Sequence, residues 1–404
     1  MTSQAAAGPR ASEAPGRVGD VRRRNLALVL SRLGPDTVAS RAEIAAATGL
    51  TKASVSSLVT DLLTTGLVEE LGVTRDGERG RPGVGLALNP RRGALGAEVN
   101  VDYLAVGVLD LKGTLRVHES VEAVNHGRAP ADVLADLQGL AARARDSAAA
   151  EGIELLGGGL AAPGLVEGDA GIVLTAPNLG WRDVDVSDAL ATLVPDAPYG
   201  VALSNEADSA AVAELWYGQG SAADAYLYLS GEVGVGGGLV LGGSLFTGPG
   251  GHAGEVGHVV VDPQGRRCSC GGRGCLETVA GQEAIFAAAG IGTGTATGRM
   301  AALQDALAAG DRKAADAVGR AGAALAVAVV AAARLVDISA VVLGGHFAAL
   351  RDRIGPLLVD SLADLAPGQI TSVSFSDLGA SAALRGAAGG AVRRVLAAPH
   401  ELLA

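Results

Sequence analysis

Residues 251 to 278 read GHAGEVGHVVVDPQGRRCSCGGRGCLET and contain all three cysteines of a chain of 404 residues. In a protein of the cytosol such a cluster is better explained by a bound metal than by disulfides. His258 lies ten residues before the first of these cysteines. One histidine and three cysteines form a ligand set typical of four-coordinate structural zinc: His258, Cys268, Cys270 and Cys275. Four protein ligands leave no open position for a reacting water, so we expect a structural metal. The alternative is a redox-active thiol group to which His258 does not belong.

The composition around this stretch excludes several classes of protein. Glycine occurs 60 times without a triplet period, which excludes collagen, and 49% apolar residues exclude disorder over the whole length. The longest apolar run, residues 321–333, is shorter than the roughly 20 residues of a spanning helix. The first twenty residues lack the apolar segment of a signal peptide. We therefore expect a cytoplasmic protein of two or three domains with no membrane span.

Charge is distributed unevenly along the chain. Residues 1–92 carry 13 Arg and Lys against 9 Asp and Glu, a net charge of +4, whereas the remainder carries 19 against 34, a net charge of -15. A small basic segment ahead of a larger acidic one is typical of a nucleic-acid-binding module joined to another domain. The alternative is chance variation in a short segment.

The basic segment has the pattern of a helix-turn-helix. After a tail over residues 1–21 that is predicted to be disordered, leucines at helical spacing from Asn25 predict a first helix. Ser40 and Glu43 form a capping box, which predicts a short helix from residue 41. Gly49 then provides a tight turn, and Thr51 is a favourable N-cap for a second helix.

The predicted outer surface of this module fits DNA. Short polar side chains on the second helix would allow close approach to a major groove, and two predicted strands, 67–71 and 84–88, frame a basic loop and form a wing. A protein-interaction module with a solvated hairpin is the alternative. The predicted DNA-binding residues are Lys52, Ser56, Ser57, Thr60, Arg79 and Arg81.

The whole chain resembles the ROK family, which contains transcriptional repressors and sugar kinases. The resemblance rests on Gly251–His258 followed by Cys268-x-Cys270, Gly274 and Cys275-Leu276-Glu277, and it extends from about residue 25 to 395. It implies an actin-like, sugar-kinase-like α/β domain of two lobes over 93–404, with a zinc loop at about 251–278. Residues 22–92 would be the winged helix-turn-helix of the repressor branch.

The resemblance also implies a sugar site between the two lobes. Its residues would be Asn205, Glu206, Glu255, His258 and Glu277. His258 would give one ring nitrogen to zinc and the other to the sugar. Carboxylates and an amide suit this role, since they accept paired hydrogen bonds from vicinal hydroxyls.

Two departures from the family pattern argue against kinase activity. Family kinases carry an Asp-x-Gly-Gly-Thr phosphate loop, whereas this chain has Glu98-Val-Asn100-Val-Asp102, whose side chains obstruct a phosphate and surround it with negative charge. The family's catalytic aspartate is replaced by Glu206, one methylene longer. We read the glycine-rich stretches at 230–238 and 343–345 as remnants of the fold.

The sequence therefore predicts a sugar-responsive transcriptional regulator, a repressor of a carbohydrate-utilisation operon, without enzyme activity. Its predicted ligands are zinc, operator DNA and a monosaccharide but not ATP, and a homodimer or homotetramer is expected. The family suggests xylose, glucose or an N-acetylated hexosamine. Two alternatives stay open: an active sugar kinase fused to a DNA-binding module, and a regulator controlled by protein contact.

Overall fold

The computed structural model describes residues 18–74 and 83–403, which divide into two compact units. The first takes in the chain up to Asn89 together with the segment from Val395, and the second is Pro90–Arg394. The boundary expected after residue 92 lies three positions beyond this division and stays a prediction. The final turn of the chain, Pro399–Leu403, packs on the first helix.

The first unit is a helix-turn-helix followed by a two-stranded wing. Three strands form a sheet in the order β1-β3-β2, and the buried residues Leu26, Ile44, Val55 and Leu62 form the centre of its core. Its elements are α1 (Val18–Leu30), β1 (Ala39–Ser40), α2 (Arg41–Thr48), α3 (Lys52–Thr64), β2 (Val68–Thr74) and β3 (Gly83–Leu88). The predicted winged helix-turn-helix is confirmed.

Both helix starts of the motif follow the sequence signals. The Ser40 hydroxyl accepts from the Glu43 N–H at 3.3 Å while Glu43 accepts from the Ser40 N–H at 2.6 Å, so the capping box is complete. Gly49 ends α2 at φ 72°, a left-handed conformation that glycine adopts without strain. Thr51 accepts from the Ser54 N–H and caps α3.

The start of α1 differs from the prediction. The apolar periodicity begins only at Leu26, yet the helix begins at Val18, inside the predicted tail. Arginine is a good helix former, and Arg22 pairs with Asp61 of α3 while Arg23 pairs with Asp20. Charged contacts therefore extend the helix beyond its apolar face, and the predicted disorder of residues 1–17 lies outside the described residues.

The second unit repeats one strand arrangement twice. In each sheet three antiparallel strands are followed by two parallel ones, giving the orders β6-β5-β4-β7-β11 and β14-β13-β12-β15-β16. A third, small sheet has the order β10-β9-β8. The strands are β4 (Arg92–Val99), β5 (Tyr103–Asp110), β6 (Leu115–Glu122), β7 (Glu154–Ala162), β8 (Leu165–Glu167), β9 (Ile172–Ala176), β10 (Trp181–Asp185), β11 (Val201–Asn205), β12 (Tyr226–Gly231), β13 (Val235–Leu241), β14 (Ser244–Leu245), β15 (Ala340–Gly344) and β16 (Ser372–Phe375).

Helices cover these sheets and give each lobe its own core. One core lies between the first sheet and α4, and the other lies among the second sheet, α8, α10 and α12. The helices are α4 (Pro130–Ala150), α5 (Ser187–Leu193), α6 (Glu206–Tyr217), α7 (Glu277–Ala280), α8 (Gln282–Ala289), α9 (Ala296–Ala308), α10 (Arg312–Val336), α11 (Gly345–Ala349), α12 (Arg351–Leu365) and α13 (Ala382–Ala397). The predicted two-lobed α/β domain is confirmed.

Helix α10 is long and apolar enough to cross a membrane by length and composition alone. Half of its most apolar window is buried, and Val318, Leu325 and Val329 lie in the core of the second lobe. The core helices of globular proteins have the same composition, so the helix does not indicate a membrane span.

Two glycines of the first sheet allow close packing against α13. A Cβ at Gly96 would overlap the Leu384 carbonyl oxygen, and one at Gly159 would overlap the Ala387 carbonyl oxygen. The helix backbone therefore lies directly on the first sheet, an approach that only glycine permits.

Candidate functional site

One polar cleft collects all five residues predicted to bind a sugar. Asn205, Glu206, Glu255, His258 and Glu277 line a space of about 630 Å³, counted with its open mouth. They come from separate elements: the end of β11, the first turn of α6, the loop after β14 and the start of α7. The topology thus brings together side chains up to 72 positions apart in the chain.

Asn205 is largely engaged in holding the backbone. Its Oδ1 accepts from the N–H groups of Ala207 and Asp208 at 2.8 and 3.0 Å, and its Nδ2 donates to the Gly164 carbonyl at 2.7 Å. One N–H of the amide remains for a ligand. The same cap fixes the start of α6 and with it the position of Glu206.

His258 faces the metal-ligand cluster on one side and the cleft on the other. Its Nδ1 lies 3.6 Å from the Cys268 Sγ, while its Nε2 lies 3.8 Å from a carboxylate oxygen of Glu255. Burial raises the pKa of Glu255, and His258 and His252 act in the opposite direction. The two ring nitrogens therefore face different groups, one the cysteine cluster and the other the cleft.

Glu277 joins the cleft wall to the cysteine loop. Its Oε1 accepts from the Ser269 hydroxyl and from the Cys268 thiol, each at 3.1 Å. A Cβ at Gly234 would overlap the other Glu277 oxygen, so a side chain in this turn between β12 and β13 would displace the Glu277 carboxyl. The glycine-rich hairpin consequently shapes the cleft.

The four predicted metal ligands form one cluster. The ligand atoms of His258, Cys268, Cys270 and Cys275 all lie within 4.8 Å of one another. The Sγ atoms of Cys270 and Cys275 are 3.8 Å apart, close to the edge of about 3.8 Å in a tetrahedron with Zn–S bonds of about 2.3 Å. A set of three sulfurs and one imidazole nitrogen thus fits four-coordinate zinc in donor chemistry and in spacing.

A second, smaller recess of about 300 Å³ shares Glu206 and Glu232 with the cleft and adds Glu98, Tyr103 and Ser230. Burial raises the pKa of Glu98 to about 7 and that of Glu232 to about 8. Burial first, and then the neighbouring Glu232, raise the pKa of Glu206 well above its ordinary value. Among the described residues that line the recess there is no Lys, Arg or His, so it offers an anion no positive charge.

The predicted DNA-contacting surface is partly described. Lys52, Ser56, Ser57 and Thr60 are exposed on α3. Arg79 and Arg81 lie outside the described residues.

Hydroxyls on this surface differ in what they already bind. Ser57 accepts from the Arg22 guanidinium at 3.4 Å, and Thr60 donates to the Ser56 carbonyl at 2.9 Å. Sequence reasoning missed Arg22, which lies beside α3 because α1 begins earlier than the apolar pattern indicates.

Three other cleft residues were not found from the sequence. Asn178 follows β9, Ser269 lies between two cysteines, and Gly164 follows β7. Only Ser269 had a usable signal, its position inside the cysteine cluster.

Comparison with known proteins identifies relatives of this chain. The model of the ROK family matches residues 94–393. A xylose repressor from Caldicellulosiruptor bescii is 32% identical over 65% of this chain, and the match spans 65% of that repressor's length. Kanosamine kinase from Amycolatopsis mediterranei is 39% identical over 63% of this chain and 82% of its own.

A solved structure of a ROK family transcriptional regulator, a homologue of the Escherichia coli MLC protein, superposes with a TM-score of 0.76 at 25% identity. That superposition covers 95% of this chain and 98% of the regulator, so it includes the N-terminal unit. The family match covers well over half of the sequence. The chain belongs to the ROK family.

Proposed function

We propose that this protein is a sugar-responsive transcriptional repressor of a carbohydrate-utilisation operon. The proposal rests on one observation: the same chain contains a winged helix-turn-helix and a polar cleft lined by five hydrogen-bonding side chains. The similarity to a xylose repressor over 65% of the chain, and to a ROK regulator over 95% of it, supports the proposal. Xylose, glucose and N-acetylated hexosamines are the first effectors to test.

DNA binding is assigned to α3 and the wing. Short side chains at Ser56, Ser57 and Thr60 permit close approach to base edges, and Lys52 near the helix N-terminus would contact a phosphate. Arg79 and Arg81 of the wing would reach the minor groove or the backbone. Operator symmetry calls for a homodimer or homotetramer, and the working compartment is the cytoplasm.

Sugar binding is assigned to the cleft. The carboxylates of Glu206, Glu255 and Glu277 would accept hydrogen bonds from ring hydroxyls, and the free N–H of Asn205 would donate one. His258 Nε2 would contact the sugar while Nδ1 holds the metal. Zinc would pin the loop from Gly251 to Thr278 and so fix Glu277 in place, which is a structural role.

The same domain is proposed to lack kinase activity. Glu98, Asn100 and Asp102 replace the phosphate loop of the family's kinases, and the recess beside Glu206 is lined by carboxylates. A recess lined in this way offers the phosphates of ATP no positive charge. A longer side chain at Glu206 also displaces a general base, and about 1 Å of misplacement costs on the order of 100-fold in rate.

The regulatory step is a shift between two arrangements of the protein. A sugar that binds one lobe arrangement more tightly than the other changes the population of the form competent for DNA. Only the difference in affinity between the two arrangements produces the response.

A thermal-shift screen against monosaccharides, each with and without magnesium-ATP, tests this function. At a concentration about 100 times Kd, a sugar should stabilise the protein by about 2.7 kcal/mol and raise Tm by several degrees, irrespective of ATP. Glu255→Gln should lose the shift, and the exposed Asp364→Asn should keep it. A shift that requires ATP would indicate a kinase, and no shift with any sugar would indicate control by protein contact.

A further inference from the structure

The carboxylate-lined recess beside the sugar cleft has no assigned role in a repressor that does not bind ATP. It adjoins the cleft, because Glu206 and Glu232 line both spaces. A substituent of a bound sugar that points toward Glu206 would therefore enter the recess.

Glu98 is a buried residue of the recess and is incompletely paired. Its side chain is 2% exposed, and Oε1 accepts from the Tyr103 hydroxyl at 2.6 Å. Among the described residues, Oε2 has no hydrogen-bond partner of normal geometry, although the Asn100 side chain and the Leu384 N–H lie close enough to influence its ionisation. A buried carboxylate oxygen without a partner is unfavourable, so this atom offers a place to a donor from outside the protein.

The recess also lacks a compensating positive charge. None of the ion pairs of the described residues includes Glu98, Glu206 or Glu232. Besides burial, Glu98 raises the pKa of both Glu206 and Glu232, and Glu232 raises that of Glu206, as expected for like charges in a shared, partly dehydrated space. A bound cation would relieve this repulsion.

The spacing of these carboxyls favours an ammonium group over a metal ion. Within the part of the chain that the structure describes, the Cys–His cluster is the one group of His, Cys, Asp and Glu whose ligand atoms converge closely enough to hold a metal. An ammonium group has three donors, it is larger than a bare metal ion, and it can bridge separated carboxylates.

We propose that Glu98, Glu206 and Glu232 form a cation subsite that accepts the ammonium group of an amino sugar whose ring lies in the adjoining cleft. This inference rests on the proposed function, since it names the chemical class of the effector. An amino sugar with a free ammonium group would then bind more tightly than the corresponding neutral sugar. Acetylation of the nitrogen, which removes the charge, would remove the advantage.

Titration calorimetry on the full chain tests the subsite with matched ligands. The panel is 2-amino-2-deoxyglucose, 3-amino-3-deoxyglucose and 6-amino-6-deoxyglucose, each against its N-acetyl derivative and against glucose. At least one amino sugar should bind about tenfold or more tightly than both neutral partners, the size expected for hydrogen bonds between charged groups. The position of its nitrogen identifies which sugar carbon faces Glu98.

Variants show whether Glu98 is responsible. Glu98→Gln keeps the shape and removes the charge, so the ratio of amino-sugar affinity to glucose affinity should fall to about threefold or less. Asp364→Asn removes one exposed charge on α12 and should keep the ratio. An unchanged ratio in Glu98→Gln would overturn the assignment of Glu98.

The outcomes distinguish failure of this inference from failure of the proposed function on which it rests. If neutral sugars bind and amino sugars bind no more tightly, the subsite is wrong and the sugar-responsive repressor stands. If no sugar of either kind binds, the proposed function itself fails. Binding of K⁺ or Mg²⁺ alone that is lost in Glu98→Gln would overturn the amino-sugar assignment and give the subsite to a metal ion.

Discussion

Replacing the buried Glu98 by glutamine should remove one component of the protein's pH dependence. In the folded state the pKa of Glu98 is raised from 4.5 to about 7, chiefly by burial, while the Tyr103 hydroxyl acts in the opposite direction. The folded protein therefore holds this proton more tightly than the unfolded chain does. Stability is lost as the pH rises through this window, the opposite of a salt-bridged carboxylate.

The magnitude follows from the size of the shift. Each unit of pKa difference corresponds to about 1.4 kcal/mol, so ionising Glu98 in the folded state costs about 3 kcal/mol in total. About 2 kcal/mol of this develops between pH 5 and pH 8. Glutamine is neutral throughout, so the free energy of unfolding of Glu98→Gln relative to wild type should rise by about 2 kcal/mol across the same interval.

Urea unfolding at pH 5 and pH 8, followed by tryptophan fluorescence, measures this difference. Both tryptophans, Trp181 and Trp216, lie in the second unit, so the signal reports on the domain that contains Glu98. Any constant effect of the substitution on packing cancels between the two pH values. Asp364→Asn is the control, and its free energy of unfolding relative to wild type should not change with pH. If the difference in free energy of unfolding between Glu98→Gln and wild type is the same at both pH values, the reasoning is refuted.

Three further predictions concern the other sites. Ser40→Ala should remove the capping box and lower the protection of α2 amides from hydrogen exchange by about 1 kcal/mol, whereas Ser40→Thr should keep most of that protection. Equal protection in wild type and both variants would contradict the role of the cap. Cys275→Ser should reduce the zinc content measured by mass spectrometry from about one ion per chain, while Ser269→Ala retains it; full zinc retention in Cys275→Ser would exclude Cys275 as a ligand. Lys52→Ala should weaken operator binding and lower the slope of log K against log salt concentration by about 1. Lys313→Ala removes the same charge from α10 and is the control, which should keep the slope. An unchanged slope in Lys52→Ala would show that Lys52 does not contact a phosphate.

The local elements with side-chain signals were predictable from sequence. The capping box at Ser40, the turn at Gly49 and the cap at Thr51 each satisfy backbone groups within four residues, so their structure depends little on the rest of the chain. The three cysteines and His258 were predictable for a similar reason, because few arrangements other than a metal site explain such a cluster.

Features that depend on tertiary contacts were not predictable. Helix α1 extends to Val18 because of contacts such as that between Arg22 and Asp61, which come from distant positions. The short strand β1 exists only because it pairs with β3, and the glycines beneath α13 are explained only by the helix that lies on them.

The cleft, too, contains residues that were predictable from sequence and residues that were not. Asn205, Glu206, Glu255, His258 and Glu277 carry motif signals, and the structure brings them together. Asn178 has no such signal and reaches the cleft through the course of the chain after β9. Motifs thus identify candidate ligand-binding groups, while the complete wall of a cleft requires the fold.

Fluorescence anisotropy on an operator fragment recovered by in vitro selection tests the central claim most directly. The full chain is titrated onto the DNA at fixed salt with and without the sugar that stabilises it. The predicted result is a 5- to 150-fold change in Kd, the range of about 1–3 kcal/mol usual for coupling between sites, with Glu255→Gln binding DNA normally and losing the response. DNA binding that no sugar alters would contradict a sugar-responsive repressor.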